Sequence, residues 1–328
     1  MDMMNRRTLL AMSAASLFGD TNTGRQPQLT RTAKRLYMAY GDGARTVVKV
    51  SDDEGGKWTE AGVFSAKGKM ALGMRRGPRI AVVHDKPVVS FISEGDLWAM
   101  NGGAAVRVND VADSAREGLH AMAGGGGKVY AAWLDLRSKG TTLCGSVSAD
   151  GGNSWGKNEV LYTSPDGSIC QCCHPTIAVD GAGKASLMFR NAVGGMRDMY
   201  AMEWGGKAAK LGSGSWKLNA CPMDGGAMAF DGAGKLVTVW RRDTQVFVAR
   251  PGSDEELLGT GKQPVVAVTA KGVWVAWNEA KSIVVRNPAK QVEKLGEGSF
   301  PSIVGLASGG VLLGWENEGQ ISLKAVGA

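Results

Sequence analysis

Three cysteines and a histidine fall within five residues, Cys170-Gln171-Cys172-Cys173-His174. A further cysteine opens Cys221-Pro222-Met223-Asp224-Gly225. Thiolates with a thioether and an imidazole form a soft donor set suited to Cu(I) or Zn. The candidate metal ligands are therefore Cys170, Cys172, Cys173, His174, Cys221 and Met223, with His120 as a further imidazole. Two other chemistries use the same residues. A disulfide from Cys221 to the cluster would tie two segments together. Cys170 to His174 also satisfies C-x-x-C-H, the spacing of covalent haem attachment, although the intervening Cys172 is foreign to that use. The chain has five cysteines, an odd number. The fifth, Cys144, reads as a small core hydrophobe. Three cysteines and a histidine exceed what one bridge needs, and this shifts weight toward metal.

The elements that must hold these residues repeat along the chain. Pro175 to Arg190 (PTIAVDGAGKASLMFR) matches Gly226 to Arg241 (GAMAFDGAGKLVTVWR) at the same internal spacing. Looser copies begin at Pro27, Pro78, Leu119, Pro264 and Pro301. Each reads as an apolar strand A, a tight turn, and a second apolar strand B ending in an aromatic residue. Four short strands fill the interval between successive copies. Repeats of this length and all-β character predict a β-propeller of four-stranded blades. Seven A/B units favour seven blades. The first A strand, near Leu29-Thr30-Arg31, is polar, and the last unit lacks a fourth strand after Ile321-Ser322-Leu323. A six-bladed ring closed by both chain ends is the alternative.

Two further segments share the pattern S-x-D-x-G-x-x-W, namely Ser51 to Trp58 and Ser148 to Trp155. A short Asp accepts backbone N–H groups, Gly supplies positive φ, and Trp folds back as an apolar plug. The pattern resembles the Asp box, or BNR repeat, of the sialidase-like β-propellers. That resemblance implies a structural turn between strands C and D and leaves the chemistry open.

The repeat also assigns ends. The A–B turns lie at one end of the ring together with the C–D Asp boxes, so A-strand starts and B-strand ends share the other. The cysteine cluster, Cys221, His120, Arg79, Asp135, Arg190, Arg241, Glu279 and Glu316 all belong to that second end. A propeller usually binds ligands at one mouth of its channel, which makes this face the expected site.

Sialidases of the resembled superfamily use an arginine triad, a Tyr nucleophile and an Asp acid/base. Here Arg79, Arg190 or Arg197, and Arg241 are the candidate arginines, with Asp135 and Glu316 or Glu279 as candidate carboxylates. No tyrosine follows Tyr200, so the late nucleophile is missing. The chain is also similar to a narrower set of exported bacterial sialidase-like proteins that pair C-x-C-C with C-P-M-D-G-G before successive inner strands. The favoured expectation is a ligand-binding propeller with a Cys-rich, copper-type site at the channel mouth. An exo-α-sialidase-type glycoside hydrolase is the alternative.

Near the N-terminus, Asn5-Arg6-Arg7-Thr8-Leu9-Leu10 places paired arginines before an apolar stretch. This resembles a twin-arginine export signal over residues 1–24, which would leave the propeller as 25–328 in a periplasmic or secreted location. Lys and Arg number 38 against 31 Asp and Glu, for a net charge of +7. The cations are scattered, and no nucleic-acid motif accompanies them, so a nucleic-acid partner is not expected. Nor is a membrane span. The expected partners are a small molecule, a glycan or a metal, with a protein partner as a further option.

Overall fold

The computed structural model describes residues 22–66 and 68–328. These form seven four-stranded antiparallel sheets. The innermost strands are Arg25–Arg31, Arg79–Val83, His120–Gly125, Thr176–Val179, Gly226–Phe230, Lys262–Thr269 and Ser299–Gly305, in blades 1 to 7 respectively. Each packs on the next, and the seventh packs back on the first. The architecture is a seven-bladed β-propeller. The six-bladed alternative is thereby excluded.

The missing fourth strand of blade 7 comes from the other end of the chain. Asn22–Thr23 pairs with Gln320–Val326, Asn22 opposite Ile321 and Thr23 opposite Gln320. Residues 22 and 23, which fall within the expected 1–24 signal, thus pair in blade 7. The rest of the expected export signal, up to residue 21, lies outside the described residues. The polar first inner strand is explained by its neighbour. Arg31 donates to Gly305 O at 2.6 Å and pairs with Glu54 at 3.1 Å, while Leu29 N–H donates to Ser302 Oγ at 2.9 Å.

Blades 1, 6 and 7 open with a β-bulge at the start of the inner strand. In each, the residue before a proline takes a left-handed φ: Gln26 at 55°, Gln263 at 58° and Phe300 at 55°. Proline disfavours helical conformations in its predecessor, so these positions carry strain held by surrounding contacts. At two of these bulges the carbonyls of Gln263 and Pro301 accept from Arg75. Between blades, the aromatic ends of the B strands are nearly sealed. Trp277 Nε1 donates to Thr260 O and Trp315 Nε1 to Glu297 O. A Cβ on Gly261 or Gly298 would lie 2.5 Å or 2.3 Å from these rings, which explains glycine at both positions.

Both Asp boxes are C–D turns, in blades 1 and 3. In the second, Ser148 Oγ donates to Asp150 Oδ1 at 2.8 Å and accepts Gly152 N–H at 2.8 Å. Asp150 also accepts Ser154 N–H and Oγ–H. Trp58 of the first box inserts into the core shared by blades 7 and 1.

Two outcomes are expected. A chain starting at Arg25 will melt below one starting at Asn22 by roughly 2–4 °C per kcal/mol of lost strand pairing, read by calorimetry; equal midpoints would mean that Asn22–Thr23 contributes nothing to closure. The hydrogen bonds from Ser154 and Ser148 hold the Asp150 carboxylate at about 2, below its ordinary 3.8. A depressed folded value gives stability that is full above 3.8 and is lost as pH falls through about 2. Asp150→Asn should therefore destabilise near neutral pH and match the parent at the acid end in denaturant titrations.

Candidate functional site

Antiparallel alternation places the connections between blades on one face, opposite the Asp boxes. The connection from blade 3 to blade 4 carries the cysteines. Ile169 N–H donates to Thr141 O and Cys170 N–H to Arg190 O, which fixes its path. Cys170 Sγ lies 3.6 Å from Cys172 Sγ and 3.5 Å from Cys173 Sγ. All three sulfurs fall within 4.8 Å of one another. All are buried, and Met223 from the next connection packs on them.

Without an ion these groups hold their protons. The Cys172 contact and burial raise Cys170 to about 11. Burial, with Cys170 beside it, raises Cys173 to about 12, against a lowering pull from Arg190. Cys172 is drawn down by Cys170, but Cys173 and burial outweigh that and leave it at about 12. Such thiols are poor nucleophiles at neutral pH, because the thiolate is the reactive form. They suit a soft cation that displaces their protons.

Beside the cluster lies a cavity of about 310 Å³, lined by Cys170, Cys172, Gln171, Asp166, Arg197 and Cys221, among others. The larger expected ligand set is not assembled. Cys221 is exposed, stands outside the three-sulfur group and forms no disulfide; all five cysteines are free. It is Met223, left-handed at φ 56°, whose thioether packs on the cluster. His174 follows Cys173 in the irregular segment just ahead of the strand Thr176–Val179. It lines the central channel instead, its Nδ1 accepting Gly225 N–H at 3.3 Å. His120 is fully buried, with Nε2 at 2.9 Å from Ser90 Oγ, and joins no thiol. Burial and nearby arginines push both imidazoles well below the usual histidine value.

The channel is the second cavity, about 710 Å³, lined by all seven inner strands. Its cysteine-face end is not an open mouth. Arg75, on the connection from blade 1 to blade 2, reaches across it. Nη1 donates to Pro301 O and Nη2 to Gln263 O, both at 3.0 Å. The Arg75 loop is pinned by Gln26 Oε1, which accepts Gly73 and Gly77 N–H. Arg75 and Gln26 were not among the sequence candidates. The one available signal was the position of Arg75 just before an inner strand, like the cysteines.

The candidate hydrolase residues are committed to structure. Arg79 donates to the carbonyls of Gly77, Pro78 and Arg75. Arg190 donates to those of Asp224, Arg197 and Arg241. Arg241 donates to Asp243 and Pro222 and lies over Trp216, with Arg190 over the same ring. Asp135 is fully buried between Trp133 Nε1 and Arg137. Glu316 accepts from Arg25 Nε at 3.0 Å and Gln26 N–H at 3.1 Å, stitching blade 7 to blade 1. No tyrosine lines either cavity. Arg190 and Arg241 meet over the Trp216 ring, whereas Arg79 lines the channel.

No protein-family model and no curated protein matches the sequence. Solved structures do match over nearly the whole chain. A streptogramin B lyase aligns with TM-score 0.59 at 12% identity, covering 94% of this chain and 96% of the other. The polysaccharide lyase Uly1 aligns with TM-score 0.53 at 7% identity, covering 98% and 94%. The NanB sialidase from Streptococcus pneumoniae, as a K499G mutant, aligns at 12% identity over 99% of this chain and 70% of the other, with a TM-score of only 0.46. At these identities the likeness concerns the fold alone.

The burial pattern predicts a thiol census. In reduced native protein, a bulky disulfide reagent should modify Cys221 quickly, and Cys144, Cys170, Cys172 and Cys173 only after unfolding. Rapid modification of a second thiol would show that the cluster opens to solvent.

Proposed function

We propose that the chain is an exported soft-metal-binding propeller and that Cys170, Cys172 and Cys173 take one Cu(I) ion. The observation that carries this reading is the gathering of three buried sulfurs within 4.8 Å of one another, with no carboxylate or imidazole in the group. An all-sulfur set favours Cu(I), whereas a structural zinc site calls for a fourth ligand. Metal–sulfur bonds of about 2.3 Å in a trigonal site would set the sulfurs about 4 Å apart. The resting spacings of 3.5 and 3.6 Å need only a small expansion. Met223 covers the site as a thioether, and Arg190 supplies positive charge near Cys173. When bound, the ion would supply a thiolate-stabilised soft centre; the chain's own part is to keep water away and to surrender protons.

A periplasmic or secreted location belongs to this proposal, resting on the paired arginines near the N-terminus. Zinc is the competing metal. Glycoside hydrolysis draws no support from the site, since the donors of Arg79, Arg190 and Arg241 are spent on main-chain carbonyls.

An anaerobic Cu(I) titration against a chromophoric chelator tests the reading. One ion per chain is expected, and Cys172→Ser or Cys173→Ser should weaken binding by at least about 100-fold, with Cys144→Ser unchanged. Because the thiols start protonated, affinity should climb as pH rises, about tenfold per unit for each proton displaced. A pH-independent affinity, or zinc bound more tightly than Cu(I), would overturn the assignment.

A further inference from the structure

We propose that Cys221 is the entry ligand of the cysteine group: it takes Cu(I) from a soluble thiolate or chelate complex and passes it through the adjoining cavity to Cys172 and Cys170. This rests on the Cu(I) reading of Cys170, Cys172 and Cys173. Two observations carry it. Cys221 is the one exposed cysteine of the five. It also lines the cavity of about 310 Å³ together with Cys170 and Cys172, so the exposed thiol and two of the buried ones face one space. Asp166, Gln171 and Gly195 share that lining and are exposed, so the cavity opens to solvent. Its volume is at the low end of small-molecule sites, which leaves room for an ion still carrying a small ligand. Cys221 stands outside the group whose sulfurs lie within 4.8 Å of one another, so it is not a resting ligand.

The three buried sulfurs are badly placed to collect an ion unaided. Cys173 is 1% exposed, Cys170 2% and Cys172 8%. Cys173 does not line the cavity at all. Soft ligands select Cu(I), so the ion reaches the protein already ligated and moves by ligand exchange. Exposure sets the order. Cys221 bonds first, at the surface. Cys172, the most exposed of the three, and Cys170 then bond across the cavity. Cys173 bonds last, from the sealed side. As each sulfur bonds, one bond from the metal to the donor complex is given up. The incoming thiol's proton goes to solvent or to the departing ligand. Once Cys173 has bonded, Cys221 leaves and takes up a proton, which restores the exposed thiol. The metal stays Cu(I) throughout, and no oxidant or reductant is needed.

The test is anaerobic stopped-flow transfer of Cu(I) from its bicinchoninate complex to the full chain, run beside the equilibrium titration. Cys221→Ser should slow transfer by at least about tenfold while affinity and the one-ion stoichiometry stay at the parent values. Cys221→Met keeps a soft donor at the same place and should recover most of the rate. Both variants replace an exposed side chain, so both should melt with the parent. An unchanged rate in Cys221→Ser would overturn the proposal. So would a matching loss of affinity, which would make Cys221 a permanent ligand. A parent chain that takes up no Cu(I) would remove the three-sulfur reading and this proposal with it, whereas normal affinity with an unaltered rate removes only the entry role.

Discussion

Everything in this molecule depends on closing the ring. A blade exposes two apolar faces and is stable only when both are covered, so an open chain of seven blades would leave two faces bare. Closure here is carried by a two-residue strand, Asn22–Thr23, and by polar stitches between blades 7 and 1. Glu316 accepts from Arg25 and from Gln26 N–H, and Ser302 Oγ accepts from Leu29 N–H. Gln26 belongs to this seam and to the next layer of structure. Its backbone is held by Glu316, while its side chain grips Gly73 and Gly77. Arg75 then finds carbonyls on blades 6 and 7 only because those blades come round to meet it.

Closure also separates two chemistries that are adjacent in sequence. Cys173 and His174 are neighbours, yet one belongs to a sealed thiol group and the other to the channel. The hydrogen bond from Gly225 N–H holds His174 on the channel side, while Cys173 stays in the preceding bend. It explains why an imidazole beside three thiols contributes nothing to their donor set. The site therefore lies off the axis, between connections, rather than at the channel mouth.

Much of this was legible in the sequence, for local reasons. The twin turns at Asp180 and Asp231 repeat because each Asp accepts the same two N–H groups, two and four residues on. The Asp boxes follow similar local rules, and strand alternation then placed the cysteines on the correct face. What escaped was set by distance or by an unusual dihedral. Asn22–Thr23 is too short and polar to show any period. Cys221 is exposed, and two residues on Met223 is left-handed, a conformation no propensity assigns to methionine. The acceptors of Arg75 are carbonyls some two hundred residues away, and a carbonyl has no sequence signature.

The arginines were hydrolase candidates in sequence because they gather at one face; in the structure they donate to main-chain carbonyls. Arg190 donates to the carbonyls of Asp224, Arg197 and Arg241, tying the connections of blades 4 and 5. With its donors used, it cannot swing to meet a ligand, but its charge remains. That charge lowers the proton affinity of Cys173 on one side and of His174 on the other. Burial is the main cause of the lowered His174 and of the raised Cys173; the fixed Arg190 charge adds to the first and works against the second, without offering either a hydrogen bond. Such a buried charge costs desolvation, which the surrounding carbonyls only partly offset. Arg190 lines neither the channel nor the cavity beside the cysteines, so what it offers Cys173 is charge alone.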